Sequence, residues 1–332
     1  MATETFLATF GLIGLRLVEL HGIDPQQFAI KTGMNPVPGD ARTRLPSDVL
    51  DKLFERAATQ IPDPAFALKA SDCWHPSHLG TLGYAWLSSG SLRTALKRMA
   101  RFTRIIGQRM SSHCADEGDA LHFIYDHGRG DTLIGHVMAD FDLSLVMSMC
   151  ELNLGAPLRP EMITLRRPKP ANPQPYEDFF GCAVAFGADD NRLVLPHHIV
   201  DTPLPTSNHE LAVTFDQILT RQLSELGGSD LPTRCKAYLL DQLTSGEPSE
   251  AGLAKAMCMS PRTLQRKLGE AGASYRSLLE AVRYDLALRY LDDPTKSVTE
   301  ITFLLGFSEQ SAFSRAFKRW NGKSPSAYRV AG

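Results

Sequence analysis

The segment Ser297–Arg329, SVTEITFLLGFSEQSAFSRAFKRWNGKSPSAYR, constrains this chain more than any other stretch. Its pattern predicts two short helices joined by a tight glycine turn. Ser297 caps the first helix, and Glu300 three residues later completes a capping box. Ile301, Leu304 and Leu305 give that helix one apolar stripe, and Gly306 ends it in the left-handed region. Ser308 is expected to cap the next helix, with Glu309 in its first turn at the positive end of the dipole. Phe313 and Phe317 lie four apart on one face, which Trp320 extends. The opposite side carries Gln310, Ser311, Ser314, Arg315, Lys318 and Arg319. Asn321-Gly322 stops the helix and Pro325 can start another. An apolar back and a polar, basic front on the second of two helices suit a helix-turn-helix whose second helix enters a DNA major groove.

The same plan occurs upstream in Ser249–Gly272, SEAGLAKAMCMSPRTLQRKLGEAG. Leu253, Ala254 and Met257 form the apolar side of a short helix. Ser260-Pro261 reads as an N-cap followed by proline at the first helical position. Leu264 and Leu268 face inward, leaving Arg262, Thr263, Gln265, Arg266 and Lys267 outside, and Gly272 ends the helix. Between the copies, Ser274–Asp292 reads as one long amphipathic helix with Leu278, Leu279, Val282, Leu286, Leu288 and Leu291 inward. Such a helix holds the two units at a fixed separation.

This arrangement resembles the C-terminal DNA-binding domain of the AraC/XylS family of bacterial transcription regulators. The resemblance covers about the last hundred residues, and Gly306–Arg329 matches the family signature nearly throughout. It implies two recognition helices in successive major grooves. The first, at about 261–271, would read bases with Arg262, Gln265 and Arg266, with Thr263 beside them. The second, at about 309–320, would read with Gln310, Ser311 and Arg315, while Ser314, Lys318 and Arg319 reach phosphates. Arg329 and Tyr328 are read as holding the last helix in place. The chemistry agrees: Arg can give two hydrogen bonds to guanine and Gln can pair bidentately with adenine, each good pair worth roughly 1–3 kcal/mol of discrimination. Contacts to phosphates add affinity that falls with salt. A single basic helix reads more simply as a solvated face; two copies with fitting turns favour DNA.

Charge follows the same division. From Pro232 onward there are 15 Lys and Arg against 10 Asp and Glu, leaving 20 basic and 27 acidic residues before it. A basic C-terminal domain on an acidic N-terminal one suits a nucleic-acid reader with a separate sensing part. The domains are expected at 1–206, a regulatory domain; 207–232, a helix and linker; and 233–332, the DNA-binding domain. Gly227–Pro232, GGSDLP, is the expected linker.

The six cysteines, Cys73, Cys114, Cys150, Cys182, Cys235 and Cys258, form no CxxC pair, so neither a zinc site nor a disulfide framework is indicated. They read as reduced thiols of a cytoplasmic protein. The first 22 residues are apolar but lack a basic leader region and are interrupted by Arg16 and Glu19. They read as an amphipathic core helix rather than a targeting or membrane segment.

The N-terminal part mixes periods. Leu45–Gln60, Ser91–Ile106 and Leu133–Leu154 read as helices; Leu121–Tyr125, Met162–Arg166, Cys182–Phe186 and Arg192–Leu195 read as strands. Pro-rich Arg167–Pro175 is a loop. The fold class is therefore α/β or α+β, followed by an all-α C-terminal domain. Two stretches, Gly80–Phe102 and Phe186–Pro205, resemble the arabinose-binding-type effector domain of the AraC subgroup that includes ornithine and virulence regulators. That resemblance implies a small-molecule effector of unnamed identity. Tyr84, Trp86, Phe102, Phe123 and Tyr125 are candidates to line its pocket, although aromatics at such spacings equally form a core. Ser207–Gly227 reads as a helix with Ala212, Phe215, Leu219 and Leu226 near heptad spacing, able to pair with a second copy or to pack on its own domain.

No enzymatic motif stands out. Cys73, His75 and His78 in CWHPSH could bring two nitrogens near a metal, but no further cysteine lies close by. His197-His198 reads as a polar loop or cap pair. No GxSxG, phosphate loop or HExxH occurs, and no metal or cofactor is implied. The sequence thus points to a transcription regulator, an activator by family resemblance, with promoter DNA, RNA polymerase, a small effector and a second copy as expected partners, and no membrane. Two rivals stay open: a regulator whose N-terminal domain binds a protein, and a fusion related to the DNA-repair alkyltransferases, which needs an activated or zinc-held cysteine.

Overall fold

The computed structural model describes residues 4–34, 42–226, 231–245, 248–257, 259–291, 293 and 296–331. The chain divides into two compact units, Met1–Leu219 and Thr220–Gly332.

The first unit begins with β1 (Thr5–Leu7), α1 (Ala8–Leu20), α2 (Pro25–Thr32), β2 (Arg44–Pro46) and α3 (Ser47–Gln60). Two 3-10 turns, Phe66–Asp72 and Pro76–Leu79, lead to α4 (Thr81–Leu87), α5 (Leu92–Ile106), β3 (Ser111–Glu117), β4 (Ala120–Asp126) and α6 (Leu133–Leu154). Then follow β5 (Met162–Leu165), α7 (Gln174–Phe180), β6 (Val184–Phe186), β7 (Asn191–Pro196), α8 (His197–Val200) and α9 (His209–Glu225), which runs through the division between the units.

The main sheet has the order β3-β4-β7-β5-β6. Only β5 and β6 pair in parallel; the other pairings are antiparallel, so the unit is α+β of the two classes expected. Leu121, Phe123 and Tyr125 alternate on the inward face of β4, as period two demands. The strand β3, SSHCADE, has no apolar alternation; it forms because β4 supplies its ladder partner from Asp126 to Ala120. The expected helix at the N-terminus proves to be a short strand followed by a helix, and Leu45 belongs to β2 rather than to the helix after it.

Helix α6 matches its expected bounds and is long and apolar enough to cross a bilayer, but 72% of its apolar window is buried in the protein. It is a core helix with polar groups locked inside. Asp140 is fully buried and receives bonds from Arg167 and from the Tyr176 hydroxyl, the latter at 2.8 Å. Burial outweighs the neighbouring guanidinium and raises the Asp140 carboxyl to about 7. Asp142, also raised by burial, meets His127 Nδ1 at 2.9 Å.

The Gly80–Phe102 stretch is explained by packing. Gly80 has φ +58° and starts α4, and a Cβ on Gly83 would lie 1.9 Å from the Pro76 carbonyl oxygen. Phe186–Pro205 fastens the sheet: Asn191 accepts from the Arg166 amide, Asp190 from Thr164, and Asp201 from Arg93 on α5. The two histidines of CWHPSH cap a 3-10 turn. His75 Nδ1 accepts from the Ser77 amide, and the His75 amide donates to His78 Nδ1 at 3.0 Å. Burial lowers His78 to about 4, leaving it neutral. Among the described residues no group of three His, Cys, Asp or Glu is placed to hold a metal.

Helix α9 packs its early turns on its own unit. Phe215 stacks on Tyr84 at 6.5 Å and Asp216 pairs with Arg98 of α5 at 2.7 Å. Of the expected linker, Gly227–Asp230 lies outside the described residues, and Leu231-Pro232 already belongs to the next helix.

The second unit is all helical: α10 (Leu231–Ser245), α11 (Glu250–Ala256), α12 (Pro261–Glu270), α13 (Tyr275–Leu291), α14 (Val298–Leu304), α15 (Gln310–Asn321) and α16 (Pro325–Ala331). One core runs through it, with Leu253, Leu264, Leu268, Val282, Ile301, Phe313 and Phe317 among its buried members. The central α13 touches α10, α14, α15 and α16 and is the long helix expected between the two copies.

Candidate nucleic-acid interface

Each copy is built by the same local rules. Ser249 caps α11 by accepting from the Gly252 amide, and Ser260 caps α12 from the Thr263 amide, with Pro261 next. Leu264 and Leu268 are buried one turn apart, so the rest of α12 turns outward. Arg262, Gln265, Arg266 and Lys267 are exposed. Thr263 is half-buried, and its hydroxyl lies 2.8 Å from that of Ser260.

In the second copy Ser297 and Glu300 form the expected capping box, and the bond from the Ser297 amide holds the Glu300 carboxyl below its ordinary range. Gly306 has φ +69°; its carbonyl accepts from Arg283 Nη2 at 2.9 Å, and that guanidinium lies 4.6 Å over the Phe307 ring. Any side chain at 306 would be strained and would press on Arg283. Phe307 and Phe313 pack at 5.7 Å, Phe317 and Tyr328 at 5.6 Å, and Tyr284 and Trp320 at 5.9 Å. Arg329 Nε donates to the Leu291 carbonyl, so Tyr328 and Arg329 fasten α16 as read from the sequence.

Two local expectations are corrected. The cap of α15 is Glu309, not Ser308, and it makes no side-chain cap bond; its carboxylate turns to the Ser311 hydroxyl and Arg315 instead. Leu304 is not part of the buried stripe: with Phe303 it is exposed, at 43% and 63%, because Ile301 and Leu305 already fill the inward positions.

The cap shift matters. Arg266 is six residues beyond its cap Ser260, and Arg315 is six beyond its cap Glu309. Arg262 and Ser311 are each two beyond. Ser308 is the extra turn residue that brings the second copy into the same register. Positions two and six lie four apart on one outward face of each helix.

Acidic neighbours hold several of these side chains. Arg266 pairs with Glu270 and Arg315 with Glu309, all four well exposed. Arg319 Nη2 meets Glu280 of α13 at 2.9 Å, while Lys318 is exposed. Ser314 is half-buried. Two contacts escaped sequence reading. Gln265 Nε2 donates to Glu250 of α11 at 3.0 Å, and the Thr299 hydroxyl of α14 donates to Gln310 Oε1 at 3.2 Å. A carboxylate only accepts, so Glu250 turns the Gln265 nitrogen toward itself and leaves the amide oxygen free. No local pattern signals such pairs; they depend on the angle between two helices.

The aromatic candidates of the first unit do not share one environment. Trp86, Phe102, Phe123 and Tyr125 are core residues, Trp86 with its indole donating to the Met149 carbonyl. Tyr84 is on the surface, 45% exposed, beneath Phe215.

Comparison with known proteins decides the family. The family model described as the arabinose-binding domain of AraC transcription regulators matches residues 22–204, and a helix-turn-helix domain model matches 253–331. The chain belongs to the AraC family. Among the relatives of this AraC regulator is the ornithine utilization regulator of Pseudomonas aeruginosa, 28% identical over 96% of this chain and 94% of that protein. Another is the regulator VirS of Mycobacterium tuberculosis, 26% identical over 85% of this chain and 83% of that one. The crystal structure of the regulator CdpR from Pseudomonas aeruginosa overlays 92% of this chain and 96% of its own with 23% identity and a TM-score of 0.46. These relatives are transcription regulators, and so is this DNA-binding protein; it is not an enzyme. Its thiols agree: burial pushes Cys73 and Cys114 up to about 11 and Cys150 further, far from the activated state that alkyl transfer requires. Cys258 lies outside the described residues.

Proposed function

We propose that this regulator activates transcription by placing α12 and α15 in successive major grooves of promoter DNA, under control of a small effector bound by its N-terminal domain. The observation that carries this reading is the matched register of Arg266 and Arg315, each six residues past its helix cap on an exposed face. In this reading Arg262, Thr263, Gln265 and Arg266 serve the first groove. Gln310, Ser311 and Arg315 read the second, with Ser314, Lys318 and Arg319 at phosphates. Arg and Gln carry base discrimination; Lys318 and Arg319 add salt-sensitive affinity. Effector binding shifts the population toward the DNA-competent arrangement. Residues 1–206 form the effector domain, 207–232 the connecting helix and linker, and 233–332 the DNA reader. The protein works in the cytoplasm as a homodimer, with exposed Phe303 and Leu304 available to RNA polymerase.

Genome-wide capture of DNA by the purified protein tests this. Wild type should give sharp peaks sharing one motif, and the Arg266→Ala/Arg315→Ala double variant should lose them. Peaks that persist unchanged in the variant would sink the base-reading assignment.

A further inference from the structure

We propose that the cleft between α2 and α3 binds a small organic carboxylate. The inference rests on the reading that the N-terminal unit senses an effector, and it names the site and the ligand class.

The cleft has a volume of about 450 Å³, within the range that small ligands occupy. Helix α2 contributes Lys31; α3 contributes Lys52, Glu55, Arg56 and Gln60. The hydroxyls of Thr32 and Thr59, which also line it, donate within their own helices, to the carbonyls of Phe28 and Glu55. The donors left to a ligand are therefore the cations and the Gln60 amide.

The cations are not balanced. Lys52 is held by Asp48 at 2.9 Å, but neither Lys31 nor Arg56 forms an ion pair among the described residues. Among the described residues Glu55 is the one acidic group lining the cleft. One positive charge is thus left over, which suits a monoanion or one arm of a dianion. Arg56 Nε is enclosed, so what Arg56 offers a ligand in the cleft is its pair of terminal amino groups. The two terminal amino groups lie side by side in the guanidinium plane, so one carboxylate takes both in parallel. Lys31 then neutralises the same anion from the opposite helix, and Gln60 can donate to the remainder of the molecule.

The experiment uses the full chain at constant ionic strength. Thermal unfolding and calorimetry are run with sodium succinate, sodium benzoate and inorganic phosphate, with sodium chloride as control. A saturable rise in melting temperature is expected with at least one of the two carboxylates. Arg56→Met keeps the stem and removes the fork, so it should weaken that binding about tenfold or more, a loss equivalent to one charged hydrogen bond. Lys31→Gln, at an exposed position, should weaken it less and gives a second variant if Arg56→Met does not fold. Saturable binding of phosphate alone overturns the carboxylate assignment, and the absence of saturable binding overturns the site. DNA capture with and without the bound carboxylate separates this proposal from the sensing role. Binding at the cleft with no change in DNA affinity leaves the site and removes the effector role. A DNA response that survives in Arg56→Met keeps the effector role and removes the site.

Discussion

In the N-terminal unit ionic side chains are drawn inward. Asp140, Asp142 and Asp216 are buried, and each meets a hydrogen-bonding partner: Arg167 and Tyr176, His127, and Arg98. In the C-terminal unit Arg262, Arg266, Lys267, Arg315 and Lys318 stand in solvent, and the acidic partners of Arg266 and Arg315 are exposed as well. Water is the reason the two arrangements differ in consequence. A buried charge must keep its partner, whereas an exposed one can exchange a carboxylate for a phosphate or a base edge at little cost. The buried carboxylates of the first unit fix its fold; the exposed cations of α12 and α15 are available to another molecule.

The comparison can be broken at its strongest point. Asp216→Ala strands the Arg98 guanidinium and should cost about 3–5 kcal/mol of stability. Chemical denaturation reads this, and the double replacement Arg98→Met/Asp216→Leu should recover most of it. A loss near zero in the single variant would mean that the pair is not buried in solution.

Next comes the pH dependence of Asp140. Its carboxyl stands at about 7 in the folded chain against an ordinary 3.8, so the folded state holds the proton more tightly. Stability from this group is full below about 4 and is lost as pH rises toward 7. The stability of wild type relative to Asp140→Asn should therefore fall between those pH values in denaturation titrations. A rise over the same window would show that the Arg167 attraction, not burial, dominates.

On the other side of the comparison, Arg266→Ala and Arg315→Ala should each cost roughly 1–3 kcal/mol of discrimination at one operator position. Circular dichroism should show the fold intact, since both side chains are exposed. If one arginine proves silent, the register argument fails for that helix. Smaller still, Glu270→Gln should change stability by less than about 1 kcal/mol, as for any exposed pair. Lys318→Ala should lower the salt slope of DNA binding by about one unit while leaving sequence preference unchanged.

How legible these features were depends on their range. The caps Ser260 and Ser297, the αL glycine at 306 and the paired Leu or Phe one turn apart are local, so they could be read directly. The cap of α15 falls one residue later than the pattern places it, at Glu309, whose side chain makes no cap bond and so leaves no capping signal in the sequence. Strand β3 was not legible: its residues are polar, and β4 alone makes it a strand. Helix α6 was legible in its bounds but not in its buried carboxylates, since what Asp140 meets is 27 residues away at Arg167 and 36 at Tyr176.

By itself the sequence determined the family, the two helix-turn-helix units and the faces they expose, because helix periodicity and capping act within four or five residues. The tertiary structure decided that Asp140 meets Arg167 and Tyr176, that Glu250 turns Gln265, and that Lys31 and Arg56 face one cleft. Those relations join residues distant along the chain. They are set by how helices and strands pack, which no local spacing encodes.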